Sequence, residues 1–383
     1  MQFGRAALES TDWSRLFHAY GRANDTPAHL LALLEEDAAG RKAAIDHLWS
    51  AILHQGTAWT ATAPVARVLA GLLSDERIDR GAMPVRAHLL AFLAAVAAAP
   101  FDVSTPLDEL RKMAEFDLGP LIDAGDDEAI YGGEAASNAF YAQSILACVE
   151  VRPVIMDAML RGLLDGDPRV RAHAAAGAAM LVSVPGLREK AGPLEEQIAA
   201  LARRATNSDE RAAMVMALGD MSTAPIAFLT DPSPAVRICA ALARAMAPHP
   251  AATALLVDAL ANHAGEIDGW FTDRPPQFRT RVRFYVVTAA LERVKEFDRL
   301  VHAAEAVARV TTHHCVDFEW GNLLAAAFPG GSGTVRTTAQ RRFLAALVDN
   351  ADLWNPSNGN AYKWFKLAGL PFDREECRRI SAI

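Results

Sequence analysis

The sequence predicts an all-α protein built from repeated pairs of helices. Alanine is abundant and aromatic residues make up only 7% of the 383 residues. Apolar residues recur at helical spacing along most of the chain, and alternation of the strand type is rare. A short motif that opens a helix also recurs along the chain. Such a series is typical of a solenoid, in which each repeat packs only against its neighbours.

The clearest copy of this motif spans residues 165–180. Asp165 or Asp167 can cap a helix that begins at Pro168, because proline at the first helical position lacks only an N–H that has no helical partner. The apolar face of this predicted helix continues at helical spacing through Val170, Ala174, Ala178 and Leu181.

A second copy of the motif begins at Asp231. In it, Pro234, Val236 and Arg237 take the places of the proline, valine and arginine of the first copy. Weaker copies, each opening an apolar helical run, begin at Pro84, Arg211, Val282 and Val335. Their uneven spacing fits degenerate repeats with insertions and a period of about 40 residues.

The pattern D-x-x-P-x-V-R-x-x-A-A-x-A resembles the HEAT repeat, in the short bacterial form called the PBS-lyase HEAT-like repeat. The resemblance implies a right-handed α-α superhelix, a HEAT-like solenoid of about nine to ten helix hairpins. It also implies that the aspartate and arginine of neighbouring repeats form a structural ladder. The ladder residues assigned in this way are Asp165, Arg171, Asp231 and Arg237.

No glycine- or serine-rich linker divides the sequence, so we expect one continuous HEAT-like solenoid over residues 1–383. Degenerate N-terminal repeats are predicted for residues 1–130 and the best-matching repeats for 131–264. An irregular loop at 265–278 precedes the C-terminal repeats at 279–383.

The distribution of charge indicates what kind of partner would bind. The formal net charge is −8, which argues against a general nucleic-acid binder. Residues 270–383 carry 16 Lys/Arg and 12 Asp/Glu, a balance of +4, which leaves −12 for residues 1–269. An acidic surface of this kind favours a basic protein partner.

Cysteine spacing and hydropathy exclude several other classes of protein. The four cysteines show no C-x-x-C pairing, so neither a disulfide framework nor a zinc knuckle is predicted, and we expect no cofactor. The N-terminus lacks the apolar segment of a signal peptide. The longest nearly apolar run, residues 89–101, is too short to span a bilayer. We therefore expect a cytoplasmic protein that does not enter a membrane.

The loop at 265–278 is the strongest candidate for a binding site, because loops on a repeat scaffold often carry function. It contains Trp270 and Phe271, and arginines follow at close spacing. Such a cluster can clamp a phosphate or an acidic group; the alternative is a solvated helix flank. The predicted binding residues are Trp270, Phe271, Arg274, Arg279 and Arg283.

Catalytic and metal-binding motifs are sparse. His313 and Asp317 are four residues apart, as are Cys315 and Glu319, but a helix start explains these residues better and no metal site is predicted. No catalytic residues are assigned, because no G-x-S-x-G, H-E-x-x-H or Walker sequence occurs.

His54 and Gln55 follow a predicted helix end and are further candidates. Either they belong to a site or, as we favour, their hydrogen bonds fix the loop between two helices.

These observations favour a non-enzymatic scaffold that engages a protein partner through its concave face or the Trp270 loop, as a regulator, an adaptor or an immunity-type protein. The rival hypothesis is a DNA-binding or repair protein resembling the HEAT-like alkylpurine DNA glycosylases, or an enzyme or accessory factor acting on a small metabolite. It predicts that Trp270, Arg279 and Arg283 share one concave pocket, with His313 as a further candidate. A bilin-chromophore lyase rests on the name of the repeat alone. The sequence leaves the oligomeric state open.

Overall fold

The computed structural model describes residues 2–79 and 83–382, and these residues are almost entirely helical. This confirms the prediction of an all-α protein. The β-structure of the described residues consists of one antiparallel pair of two-residue strands, β1 (Phe17–His18) and β2 (Gly21–Arg22). The chain divides into two compact units, an N-terminal unit (Met1–Ile198) and a C-terminal unit (Ala199–Ile383).

The N-terminal unit contains eleven helices in its described part, and a twelfth, α12, runs from it into the C-terminal unit. Helices α5 and α10 pack against each other and each contacts both α4 and α11, while α1 lies across α4. The bounds are α1 Gly4–Ser10, α2 Thr26–Ala32, α3 Ala38–His47, α4 Thr62–Leu72, α5 Val85–Ala98, α6 Leu107–Met113, α7 Gly119–Ala124, α8 Asp127–Gly132, α9 Glu134–Glu150, α10 Arg152–Gly162, α11 Pro168–Leu181 and α12 Ala191–Arg204. A π-helical turn, Leu48–Ile52, continues α3.

Helix α11 forms as the motif predicts. Pro168 is its first residue, and the Asp167 carboxylate caps it by accepting a hydrogen bond from the backbone N–H of Arg169 at 2.8 Å. Its small residues are buried on several sides, so neighbouring helices approach closely. Gly177 is one of these residues: a Cβ at this position would lie 2.7 Å from the sulfur of Met159 on α10.

The C-terminal unit continues the series of helices. Helix α15 packs against α17, α17 against α19 and α19 against α21, while α18 packs against α20. In these two series, each helix therefore packs against the helix two positions later in the chain. The bounds are α13 Ser208–Asp220, α14 Pro234–Leu242, α15 Pro250–His263, α16 Val282–Arg293, α17 Val301–Val310, α18 Trp320–Ala327, α19 Thr338–Asp349, α20 Gly359–Ala368 and α21 Arg374–Ala382.

A close crossing of α1 and α4 provides a test of the packing. A Cβ added to Gly71 would lie 2.2 Å from the backbone nitrogen of Gly4 and 2.5 Å from its Cα. Because backbone atoms cannot move aside as a side chain can, we expect Gly71→Ala to destabilise the protein by about 1–3 kcal/mol. Urea unfolding followed by circular dichroism measures the change.

Gly192→Ala is the matched control. Gly192 is exposed on α12, and an added Cβ there meets nothing within 4 Å. This variant should be neutral or gain about 0.5–1 kcal/mol, the helix-propensity difference between the two residues. Equal stabilities for the two variants would show that α1 does not cross α4 at this point.

Candidate binding site around Trp270

Two aspartates of the predicted ladder contact arginines from an earlier helix. In the N-terminal unit, Oδ2 of Asp165 lies 3.0 Å from Nη1 of Arg86 on α5. In the C-terminal unit, Oδ2 of Asp231 lies 3.0 Å from Nη1 of Arg211 on α13. Less than a quarter of each of these side chains is exposed. The two ion pairs therefore connect the segments before α11 and α14 to the earlier helices.

The two arginines assigned to the ladder each donate hydrogen bonds to backbone carbonyls of the loop before their own helix. Nη1 of Arg171 donates a hydrogen bond to the carbonyl oxygen of Asp165 at 2.6 Å. Nη1 of Arg237 donates in the same way to the carbonyl oxygen of Asp231 at 2.8 Å. Each arginine thus closes the loop that precedes its own helix.

The Trp270 loop (residues 265–278) is fixed by buried and half-buried carboxylates. Asp209 on α13 is buried, and its Oδ2 accepts hydrogen bonds from the backbone N–H groups of Thr272 and Asp273 at 3.0 and 2.8 Å. Oδ1 of Asp268 accepts the first N–H of α16 at 2.6 Å. The loop therefore presents its side chains from a fixed backbone.

The two aromatic residues of the loop have different environments. Phe271 is buried, and its ring meets that of Phe278 edge to face at 5.9 Å between centroids. Trp270 is half-exposed, and its ring meets His263 edge to face at 5.8 Å. Phe271 thus anchors the loop, whereas Trp270 offers part of its indole to a ligand.

Of the three arginines of the predicted binding cluster, two are exposed and the third is buried. Arg274 is exposed, and its Nη1 donates to the carbonyl oxygen of Thr280 at 2.9 Å. Arg279 is also exposed, and only its backbone N–H is fixed, by the hydroxyl of Tyr285 at 3.1 Å. Arg283 is buried at 3% exposure. The structure therefore does not give these arginines a common surface.

Arg283 forms an ion pair with Glu319, whose side chain is fully buried. Its Nε contacts Oε1 of Glu319 and its Nη2 lies 3.1 Å from Oε2. Nη1 donates to the carbonyl oxygen of Ala264 at 2.9 Å, and the hydroxyl of Thr311 donates to Oε2 of Glu319 at 2.6 Å. The guanidinium is thus occupied within the core and is not available to a ligand.

A pocket of about 270 Å³ opens beside Trp270, between α14 and α15. Ile238, Leu255 and Ala259 form its apolar surface. Its polar and charged lining consists of Arg237, Asp258, His263 and Glu266, and Pro234 completes it. The pocket brings Trp270 together with Arg237, which the sequence assigned to the structural ladder; its lining does not include Arg279, Arg283 or His313.

The residues between His313 and Glu319 have structural partners. Nδ1 of His313 lies 3.3 Å from a carboxylate oxygen of Asp352. The two carboxylate oxygens of Asp317 accept hydrogen bonds from Trp364 Nε1 at 2.7 Å and Asn360 at 2.6 Å. With Glu319 bound to Arg283, these residues do not converge on one point.

A different group of ligand-type side chains does converge, in the N-terminal unit. Within residues 2–79 and 83–382, His18, Asp25 and His47 are the set of three whose ligand atoms all lie within 4.8 Å of one another. Sequence analysis missed this set because its members are 7 and 22 residues apart and match no metal-binding motif. His54 lies nearby, with its Nδ1 2.8 Å from the carbonyl oxygen of Ser50.

No protein-family model, curated protein or solved structure matches this chain. One helical stretch of the described residues, Glu134–Gly162, is long and apolar enough to cross a membrane by length and composition alone. It comprises α9 and α10, and 56% of its most apolar window is buried inside the protein. The cytoplasmic location stays a prediction.

The buried ion pair predicts a large effect of removing one charge. Arg283→Met leaves the Glu319 carboxylate in the core without its cation, so we expect a loss of about 3–5 kcal/mol in the free energy of unfolding. The double variant Arg283→Met/Glu319→Leu removes both charges and should recover most of that loss. Thermal and urea unfolding of both variants tests this, and a double variant no more stable than the single one would contradict it.

Proposed function

We propose that this chain is a non-enzymatic binding scaffold of the HEAT-repeat type, which grips a basic segment of a protein partner in the Trp270 pocket. The observation that supports this most directly is the lining of the pocket. The half-exposed indole of Trp270 lines the pocket together with two exposed carboxylates, Asp258 and Glu266, and an apolar surface.

The charges at the pocket favour a cationic side chain over an anionic one. Glu266 is two-thirds exposed, and the one arginine of the lining, Arg237, already donates to backbone carbonyls. An arginine or lysine can lie against the face of a tryptophan while its charge meets nearby carboxylates.

The size of the pocket suits one or two side chains of a protein partner. Its volume of about 270 Å³ lies at the lower end of the range usual for small-molecule sites, about 300–1,000 Å³, so the preference for a protein partner rests on the lining residues rather than on the volume. Anchor residues that insert into pockets in this way often dominate the binding energy of a protein interface.

The packing of the helices supports the repeat architecture within each unit. In the C-terminal unit, α15, α17, α19 and α21 contact one another in that order, as alternate helices of stacked pairs do. We propose that the pairs in each unit stack as in HEAT repeats, with right-handed superhelical twist. The motif aspartates support this assignment, because each is bonded to an arginine of an earlier helix.

The rival hypotheses have less support. A HEAT-like glycosylase or a metabolite enzyme needs Trp270, Arg279 and Arg283 around one ligand, with His313 as a further candidate. Only Trp270 lines the pocket, and Arg283 is committed to Glu319. The scaffold proposal therefore accounts for more of the observed contacts.

Selection of peptides from a random display library against the purified chain tests the proposal. We expect the enriched peptides to contain arginine or lysine and to bind more weakly as salt rises. Trp270→Ala and Glu266→Gln should each lower the affinity of a selected peptide about tenfold or more, because they remove the aromatic surface and one carboxylate of the pocket.

Two variants serve as matched controls in the same unit. Tyr362→Ala removes a 57%-exposed aromatic ring, and Glu296→Gln removes a 69%-exposed carboxylate; neither residue lines the pocket. Both should bind the selected peptide as the parent chain does. Enriched peptides without basic residues, or equal binding by Trp270→Ala, would contradict the proposal.

A further inference from the structure

We propose that His18, Asp25 and His47 form a binding site for one divalent transition-metal ion, of the class to which Zn²⁺, Co²⁺ and Fe²⁺ belong. This site lies in the N-terminal unit and is independent of the function proposed for the Trp270 pocket. Two imidazoles and one carboxylate form a donor set that these ions accept while keeping open positions for water or a substrate.

Three local structures bring the ligands together. His18 is the last residue of β1, Asp25 precedes the first residue of α2, and His47 is the last residue of α3. The β1–β2 turn lies between His18 and α2. The chain thus places residues that are distant in sequence at one point, and no two of the ligands lie on the same element.

The distances suit a metal ion after a side-chain adjustment. Nε2 of His18 and Oδ1 of Asp25 are already 2.9 Å apart, and all three ligand atoms lie within 4.8 Å of one another. Bonds of about 2.0–2.2 Å place the ligand atoms of a tetrahedral ion about 3.3–3.6 Å apart. The widest pair must therefore close by about 1–1.5 Å at most, which a side-chain rotation can supply.

Burial gives the site a protein side and a solvent side. His18 and His47 are 4% and 8% exposed, whereas 55% of the Asp25 side chain is exposed. An ion can therefore enter past Asp25 and be held against the two buried imidazoles. Water can occupy the coordination positions that face the solvent.

The hydrogen bonds around the proposed ligands determine how tightly we expect a metal ion to bind. Nε2 of His47 is 3.1 Å from the hydroxyl of the buried Thr26, which orients the ring. Nδ1 of His18 accepts the N–H of Tyr20 at 3.1 Å, so the ring carries its proton on Nε2. A metal on Nε2 moves that proton to Nδ1 and disrupts this bond, so we expect micromolar rather than nanomolar affinity.

Titration of the metal-free full chain with Co²⁺ and Zn²⁺ tests the proposal. We expect one Co²⁺ per chain, seen by visible absorption, displaced by Zn²⁺ and not by Mg²⁺. Asp25→Asn and His18→Gln should each weaken binding at least tenfold. Asp46→Asn, a 60%-exposed carboxylate on α3, and His263→Gln, in the Trp270 pocket, should bind as the parent chain does.

Circular dichroism establishes that each variant is folded. Should either ligand variant fail to fold, anomalous diffraction from parent crystals soaked in Zn²⁺ replaces it, with a peak expected between these three side chains. Absence of one-to-one binding, an anomalous peak elsewhere only, or unchanged affinity in a folded Asp25→Asn variant would overturn the proposal.

Discussion

Contact between a motif aspartate and an arginine of an earlier helix is the constraint on which the packing of both units depends. Helices as rich in alanine as α11 bring few large side chains to their interfaces, so shape alone specifies their relative positions weakly. The Arg86–Asp165 and Arg211–Asp231 pairs supply directional contacts at such interfaces. Because each aspartate stands just before a helix, the pair fixes where that helix begins relative to its neighbour.

A second use of arginine accompanies these pairs. In four helices, the residue four positions after the N-cap is an arginine that donates to the carbonyl oxygen two positions before the N-cap. The four are Arg41, Arg171, Arg211 and Arg237. This shared geometry explains the Val-Arg pair of the motif. The valine packs in the core, and the arginine closes the loop that precedes its own helix.

Much of the fold could be predicted from the sequence, because helix starts are set by local chemistry. Pro168 and Pro234 begin α11 and α14 as expected. Helix ends depend more on tertiary packing. The apolar run from Pro234 continues in the sequence to Met246, but Ala243 has φ −52° and ψ 133°, and α14 ends at Leu242. The acidic stretch 123–128 divides between α7 and α8, which Gly125 separates with a left-handed φ of 70°.

The candidate sites were predictable only in part. The Trp270 loop was found because an aromatic, proline-rich break in a helical pattern is a local signal. The environments of the predicted binding residues could not be predicted in the same way. The burial of Phe271 and Arg283 depends on contacts with Phe278 and Glu319, and no spacing rule connects these partners to them. The cluster of His18, Asp25 and His47 gave no local signal, because a strand, a helix start and a helix end meet there.

The two proposals give this all-helical protein two separate surfaces for ligands. One is a small pocket with an indole and carboxylates, in the C-terminal unit. The other is a set of imidazole and carboxylate ligands, in the N-terminal unit. The packing of the helices that carry both surfaces depends first on the ion pairs of the motif aspartates.

A double-mutant cycle on Arg211 and Asp231 tests that requirement most directly. Unfolding free energies of Arg211→Met, Asp231→Asn and the double variant give the coupling energy, which we expect to be about 1–3 kcal/mol for this largely buried pair. The exposed pair Arg299–Glu296 is the control and should show about 0–0.5 kcal/mol. A coupling at Arg211–Asp231 no larger than that of the control would contradict the account.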